Sequence, residues 1–568
     1  MPRKRRLVPT VSLTLCLVAL AYDIGGYPLL DPDEGRNAEV AREMASTNNF
    51  IVPHLNGVPY VDKPMLFFGA VAAVMKVLGP TVTAARLPSL VFTLLTLAVV
   101  FWFGRRTFGA GAAWIATIAS AATPFTLAYS RTVIFDSTLT FFVVVAIVGF
   151  FMAIDSGARI PAKPPHETGA DWWMSLTWVA MACGVLTKGP IALAVPLMIA
   201  IPYAAWRRGW RSLGDTLSIL LFVALVLPWV LAMSREVPGF VHYVLWTETI
   251  ARLTTGELHR TGPLWYFLVI LPAATLPWSL ILLGGMWRAR PWRRPDDTVD
   301  KSVIYLLLWI IVPLAFFSLS QSKRPQYVLP LVPAVGLLLG ALWTRWRTRL
   351  YGARTAAVAM AVLGVALLTA HGSIANLLAA SPGIAAAVPA AAAIIGIGCI
   401  VGGVLAYVGV GNSDLLLLGF AIPIIAIPVS ARTLMDEIGR TRSAAEISAA
   451  LLPEMSDDVQ VVGVHAFPPS LPFYLNRPLI LSTKDGAELT SNYIVRHYDE
   501  WSGTTWLRDA GWWRQALIRC VRPRVFIVRS NDRDARELLD QQLNLVIDTG
   551  KYAAYGPCGF SHLATVGP

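Results

Sequence analysis

Three carboxylates stand within four positions near the start of the chain, Asp31, Asp33 and Glu34, in the stretch DPDEGRNAEVAREM. Acids this close repel one another, and such a group usually has a cationic substrate, a metal or a proton to handle. The simpler alternative is that Asp31 or Asp33 caps the helix that the following residues favour, each accepting from one backbone amide. Arg36 and Asn37 fall on the next turn, where they would support the acids. Further along, HLNGVPYVDKP puts Tyr60 three residues before Lys63. A phenol and an ammonium together can hold a phosphate without fork geometry. An aromatic-belt tyrosine beside a snorkelling lysine is the structural alternative. SRTVIFDS adds Arg131 and Asp136, TKGP adds Lys188, and SLSQSKRPQYVLPLVP adds Lys323, Arg324 and Tyr327. The stretch 234–262 contributes Arg252, Glu257, His259 and Arg260.

The elements that must position these residues are membrane helices. Of 568 residues only 14% are charged, against about 25% in soluble proteins, while 55% are hydrophobic. The mean hydropathy is +0.57. A soluble globule of this length could not bury that much apolar surface. Disordered and collagen-like classes fail on apolar content, and a disulfide scaffold fails on five cysteines. The composition therefore reads as a polytopic α-helical membrane protein. The net charge of +12 follows from basic cytoplasmic loops, so no nucleic-acid partner is expected.

The charges also orient the chain. Arg3, Lys4, Arg5 and Arg6 precede an uncleaved first span and place the N-terminus in the cytoplasm. The apolar run at 64–78 is shorter than the roughly 20 residues a span needs and contains Lys76. Spanning would leave Arg105 and Arg106 outside, so this run is expected to lie along the interface. Further spans then fall near 87–104, 109–129, 137–154, 172–187, 190–206, 214–233, 263–285, 302–320, 327–344, 355–371, 384–410 and 413–432, about thirteen with the first. The loops WRRGWR, MWRARPWRRP and TRWRTRLYGAR face the cytoplasm. The expected organisation is a transmembrane catalytic domain over 1–432, with an outer loop at 31–79, and an outer α/β domain over 433–568. In the latter, VQVVGVHA, PLILST, RVFIVRS and NLVIDTG read as strands, and NDRDARELLDQQLN reads as a helix opened by Asn531 or Asp532. Cys16, Cys183 and Cys399 read as small core residues. Cys520 and Cys558 can form a disulfide if the tail lies outside.

On this topology Arg36, Arg42, Lys63, Arg131, Lys188, Arg252, Arg260, Lys323 and Arg324 all sit in outer loops, against the positive-inside trend. Cations so placed need anionic partners: acidic side chains, lipid headgroups or a phosphorylated ligand. Lipid-headgroup anchoring accounts equally well for any one of them. As a group beside the acids they point to a phosphate site.

These motifs resemble the integral-membrane glycosyltransferases that use polyprenyl-phosphate sugars, a class that includes the protein O-mannosyltransferases. Within that class they are most similar to the transferases that move 4-amino-4-deoxy-L-arabinose from undecaprenyl phosphate to lipid A. The resemblance implies a GT-C type fold with about 13 spans and a periplasmic α/β domain. It further implies an undecaprenyl-phosphate-linked sugar donor, a lipid A phosphate acceptor, a Gram-negative inner membrane and a role in resistance to cationic peptides. By motif, it assigns Asp33, with Glu34 beside it, and Asp136 as the acids. Tyr60 and Lys63 are assigned to the donor phosphate, and Lys323, Arg324 and Tyr327 to a downstream basic-aromatic group. Arg36, Arg131, Lys188, Arg252 and Arg260 are further substrate-binding candidates. One departure is Asp62-Lys63-Pro64, where many aminoarabinose transferases have Glu-Lys-Pro. The implied reaction is an inverting displacement that needs little general-base help, because the attacking phosphate is already ionised. A divalent metal stays open: carboxylates with His54 or His259 offer donors, but no Cys/His spacing supports a site. The alternatives are a related transferase acting on protein hydroxyls or another glycolipid, and a transporter or flippase for anionic lipids. Transporters favour charges at mid-membrane, whereas these cluster at one face.

Overall fold

The computed structural model describes residues 7–159, 170–244, 246, 262–289, 300–345, 352–378, 382–503 and 506–559. The expectations for Arg3 to Arg6, for most of MWRARPWRRP and TRWRTRLYGAR, and for Arg252, Glu257, His259 and Arg260 lie outside the described residues. The chain divides into two compact units. One comprises Met1–Ile24, Leu87–Leu231 and Leu245–Leu434; the other comprises Gly25–Arg86, Ala232–Val244 and Met435–Pro568.

The first unit is helical. Among the described residues seven helices are long and apolar enough to cross a membrane, or up to ten if each of three bent pairs is one span. Leu7–Ala21 (α1) and Ile191–Arg207 are shorter apolar helices, and Ala170–Lys188 has 19 residues. Each interval expected to span holds a helix or a bent pair. The chain is a multi-pass membrane protein.

The bends have local causes. Between Ala110–Ala121 and Pro124–Ser130 the axis turns by 64°, where Thr123 caps the second helix by accepting from the Thr126 amide and Pro124 opens its first turn. The carbonyl beside this break has a buried aromatic donor, Trp278 Nε1 donating to Ala122 O at 3.0 Å, and elsewhere Trp309 Nε1 donates to Pro330 O at 3.0 Å. In a hydrocarbon environment an unmatched carbonyl would cost several kcal/mol, roughly. Small residues set the close packing of Ala353–Thr369 on Pro382–Val408. A Cβ on Gly364 would lie 2.5 Å from the Gly396 carbonyl oxygen, so no larger residue fits that crossing.

The second unit contains Asp33–Thr47 (α2), a hairpin of His54–Leu55 (β1) and Val58–Pro59 (β2), the 13-residue Leu66–Leu78 (α3), and a six-stranded sheet. The sheet strands are Gln460–Val464 (β3), Ile480–Thr483 (β4), Leu507–Asp509 (β5), Arg524–Arg529 (β6), Leu545–Asp548 (β7) and Tyr552–Cys558 (β8), in the order β5-β4-β3-β6-β8-β7. β3 to β6 pair in parallel, and β8 runs antiparallel to β6 and β7. The four strands read from sequence are β3, β4, β6 and β7. β5 is only three residues, and β8 (YAAYGPC) lacks the β-branched residues that mark a strand. Asp532 is the cap of the helix Arg533–Asp540, accepting from the Ala535 amide at 3.2 Å. Cys520 and Cys558 are joined as a disulfide.

Candidate active site

In the second unit α2 carries the acidic motif, and each of its three carboxylates has its own partner. The cap position of α2 is Pro32, with no side-chain hydrogen bond, so neither aspartate caps the helix. Asp31 is buried; its Oδ2 accepts from Ser470 Oγ at 2.9 Å. Burial pushes the Asp31 carboxyl up to about 7, with the Ser470 hydrogen bond pulling the other way. Glu34 is enclosed by Arg86, which donates to both carboxylate oxygens at 2.9 and 2.8 Å, and by the Leu30 amide at 3.0 Å. Arg86 also donates to the carbonyls of Tyr27 and Pro28 and lies 3.8 Å over the Tyr27 ring. Its fork is thus spent on holding the entry to α2. Asp33 remains the half-open one: its side chain is 44% exposed, and its Oδ1 lies 2.5 Å from Arg36 Nη2.

Arg36 is the centre of this group. Its Nη1 donates to Thr490 Oγ1 at 2.7 Å, and its guanidinium stands 5.9 Å from the Tyr60 ring. Burial pulls its pKa down, yet Tyr60, Asp33 and Asp62 outweigh that and hold it above the ordinary arginine value. Its Nε is buried and has no hydrogen-bond partner among the described residues, which leaves one directed N–H for a ligand. Tyr60 is buried, with its amide donating to Pro53 O at 2.8 Å. Lys63 Nζ donates to the Asp62 carbonyl. Asp62 accepts from the Tyr243 hydroxyl at 2.6 Å.

The hairpin that carries Tyr60 is fixed from below. Asn56 and Gly57 take φ values of 55° and 73°, as a two-residue turn requires. Both turn amides donate to Glu43 of α2, Asn56 N to Oε1 at 2.5 Å and Gly57 N to Oε2 at 3.0 Å. The Asn56 side chain exchanges two hydrogen bonds with the Leu479 backbone, each 2.8 Å. Burial, with Glu39 alongside, pushes Glu43 up to about 8. Arg42 is held by Glu39 in a two-point pair, both contacts at 2.7 Å.

A second group lies in the first unit. Asp136, at the start of Phe135–Arg159, places Oδ1 2.5 Å from Lys188 Nζ, at the end of Ala170–Lys188. Asp136 Oδ2 is buried and has no hydrogen-bond partner among the described residues. Lys188 Nζ stands 5.4 Å from the Tyr327 ring, and Tyr327 stacks with Phe267 at 6.2 Å. Lys323 lies 5.6 Å from the same Phe267 ring and donates to Ser318 O at 2.5 Å. Residues from three separate loops are thus linked by contact. Arg324 is at the cap of the short helix Pro325–Leu331. Arg131 is placed differently: its guanidinium donates to the carbonyls of Ala19, Tyr22 and Asp23. A cation on the last carbonyls of α1 is the normal way to close a helix C-terminus.

Sequence reasoning passed over Arg86, Glu39, Glu43, Asn56 and Tyr243. Asn56-Gly57 was the readable signal, a hairpin dipeptide between apolar residues. The others pair across sequence distances that no local pattern reports. No group of three His, Cys, Asp or Glu able to hold a metal ion occurs among the described residues. His54 turns Nδ1 to the Val52 carbonyl at 2.9 Å.

Residues 31–244 match the family described as dolichyl-phosphate-mannose-protein mannosyltransferase. The undecaprenyl phosphate-α-4-amino-4-deoxy-L-arabinose arabinosyl transferase of Erwinia tasmaniensis is 30% identical over 314 residues, 55% of this chain and 55% of that protein. The one from Pseudomonas aeruginosa is 30% identical over 338 residues, 58% and 59% of the two chains. The chain thus spans somewhat more than half the length of the curated relatives it matches. The crystal structure of ArnT from Cupriavidus metallidurans bound to undecaprenyl phosphate superposes with a TM-score of 0.80 at 24% identity, covering 97% of both chains. Over somewhat more than half its length the chain is similar in sequence to the undecaprenyl phosphate-aminoarabinose arabinosyl transferases, and over nearly all of it the fold is that of ArnT, a GT-C fold.

Proposed function

We propose that the chain is an inverting glycosyltransferase that moves 4-amino-4-deoxy-L-arabinose from undecaprenyl phosphate to a lipid A phosphate, at the periplasmic face of a Gram-negative inner membrane. In this reading residues 1–432 form the catalytic membrane domain and 433–568 a periplasmic α/β domain. The identity of donor and sugar rests on the names of the relatives. The observation that carries the chemistry is Arg36, a charged guanidinium with one unused buried N–H beside Asp33 and Tyr60.

An ionised acceptor phosphate oxygen supplies the electron pair that bonds to the anomeric carbon. The bond from that carbon to undecaprenyl phosphate breaks, and its electrons leave on the phosphate oxygen. No proton has to move, so positioning and charge stabilisation dominate. Lys63, Arg36 and Tyr60 are assigned to the leaving phosphate, with Lys188, Lys323, Arg324 and Tyr327 as the second cationic-aromatic group. Asp33 and Asp136 are assigned to orienting the sugar and stabilising positive charge developing at the anomeric carbon. Glu34 and Arg131 are assigned to holding α2 and α1, and Arg252 and Arg260 to substrate binding.

The test is reconstitution of the purified chain with undecaprenyl-phosphate aminoarabinose and lipid A, followed by lipid A mass. Asp33→Ala and Lys63→Ala should each abolish the gain of one aminoarabinose while leaving expression intact. A fully active Asp33→Ala sinks the assignment. Donor consumption without a lipid A shift keeps the transferase and replaces the acceptor, for which the mannosyltransferase match over 31–244 offers protein hydroxyls.

A further inference from the structure

Two hollows open on the α/β part of the second unit among the described residues, and in one of them a cation is already paired. One, of about 620 Å3, is lined in part by Arg533, Arg536, Glu537 and Asp540. Arg536 there lies 2.7 Å from Asp548 Oδ2 and donates to Tyr555 OH at 3.2 Å. The other, of about 380 Å3, is lined among the described residues by Arg529, Asn531, Gly550, Lys551 and Tyr552 and by no acid. Among the described residues the Arg529 guanidinium, the Lys551 ammonium and the Asn531 amide have no hydrogen bond or ion pair; Lys551 only rests over the Tyr552 ring at 5.3 Å.

The sheet holds the two cations side by side. Arg529 at the end of β6 is in register with Tyr552 of β8, and Ser530 N donates to Lys551 O at 3.0 Å. Two like charges fixed around one hollow repel until an anion joins them. The Lys551 charge acts on Asp31, two residues before Asp33, and helps to hold its carboxyl down against burial. Asp31 does not pair with Lys551: it is turned to Ser470, and its Oδ1 is buried without a hydrogen-bond partner among the described residues.

The geometry points to an anion site in this hollow for a phosphate monoester group, with Arg529 and Lys551 supplying the charge and Asn531 a neutral donor. A guanidinium fork and a mobile ammonium recognise phosphate oxygens together, and two positive charges balance a dianion. The hollow is open at the surface, so the phosphate can be free or carried on a lipid headgroup. The site stands independently of the transfer reaction proposed above.

Hydrogen exchange of the full chain tests it, read at the amides of 529–533 and 549–552. One arm adds inorganic phosphate to detergent-solubilised protein, with chloride at matched ionic strength as the reference. The other compares phosphatidylcholine nanodiscs with and without phosphatidic acid. Slower exchange in the phosphate arm assigns a free phosphate group; slower exchange only with phosphatidic acid assigns a lipid headgroup. Either outcome should be lost in R529A/K551A, with binding weakened about tenfold or more, and kept in R533A, which alters the neighbouring hollow. Circular dichroism confirms that each variant folds. No protection in either arm, or equal protection in R529A/K551A, overturns the proposal.

Discussion

Asp136 and Lys188 come from two helix ends 52 residues apart, and their side chains are only 3% and 14% exposed. At that burial a carboxylate and an ammonium are tolerable together and costly apart. Removing one partner of such a pair typically costs about 3–5 kcal/mol, because the other charge is left uncompensated. Lys188→Met should therefore lower the apparent melting temperature in detergent markedly, and Asp136→Leu/Lys188→Met should recover most of it. Stability and transfer then separate. If Asp136 serves the reaction as assigned, the recovered double variant stays inactive. A Lys188→Met protein as stable as the parent denies the pair its structural weight, and an active double variant removes Asp136 from the reaction.

The hairpin β1–β2 depends on α2 through Glu43, and this dependence has a sign in pH. The unfolded glutamate titrates near its ordinary 4.5, while burial and then Glu39 push the folded one to about 8. Between those values the folded chain keeps a proton that the unfolded chain releases, so the contribution is full below 4.5 and is lost as pH rises through 8. Melting followed from pH 5 to 8 should show a fall that Glu43→Gln flattens; equal slopes in the two proteins reject the role. Elements of this kind were unevenly legible. The membrane helices announced themselves as apolar runs, and the run at 64–78 holds the 13-residue helix Leu66–Leu78, shorter than a span needs. The turn at Asn56-Gly57 was readable from the dipeptide. What held α2 and the hairpin was not: Glu34 meets Arg86 across 52 residues and Asp62 meets Tyr243 across 181. Glu39 and Glu43 look like ordinary solvated helix residues until the fold buries them. The repulsion expected among Asp31, Asp33 and Glu34 was a sound inference about isolated side chains, and the structure relieves it with Ser470, Arg36 and Arg86.

At the scale of the whole chain the disulfide ties the side of the membrane that carries the tail to chemistry. Cys520 and Cys558 close 38 residues that contain β6, β7 and β8, the antiparallel side of the sheet. A crosslink of that span restrains the unfolded chain by about 4 kcal/mol in the loop-entropy account. It persists only in an oxidising compartment, which agrees with the orientation proposed from the basic loops. The three remaining cysteines, Cys16, Cys183 and Cys399, are free thiols in the helical unit and can be replaced by serine to leave the pair alone. In intact spheroplasts of cells expressing that variant, a membrane-impermeant maleimide should label the tail only after an impermeant reductant has opened the bond. The same treatment should lower the melting temperature of the purified protein, and Cys520→Ser/Cys558→Ser should reproduce that loss without the reductant. Labelling of intact spheroplasts without reductant would keep the tail outside and deny the disulfide; labelling that requires permeabilised cells would place the tail in the reducing cytoplasm. The outward-facing assignment of the cationic loops would then fall with it, because both rest on one count of charges across the same spans.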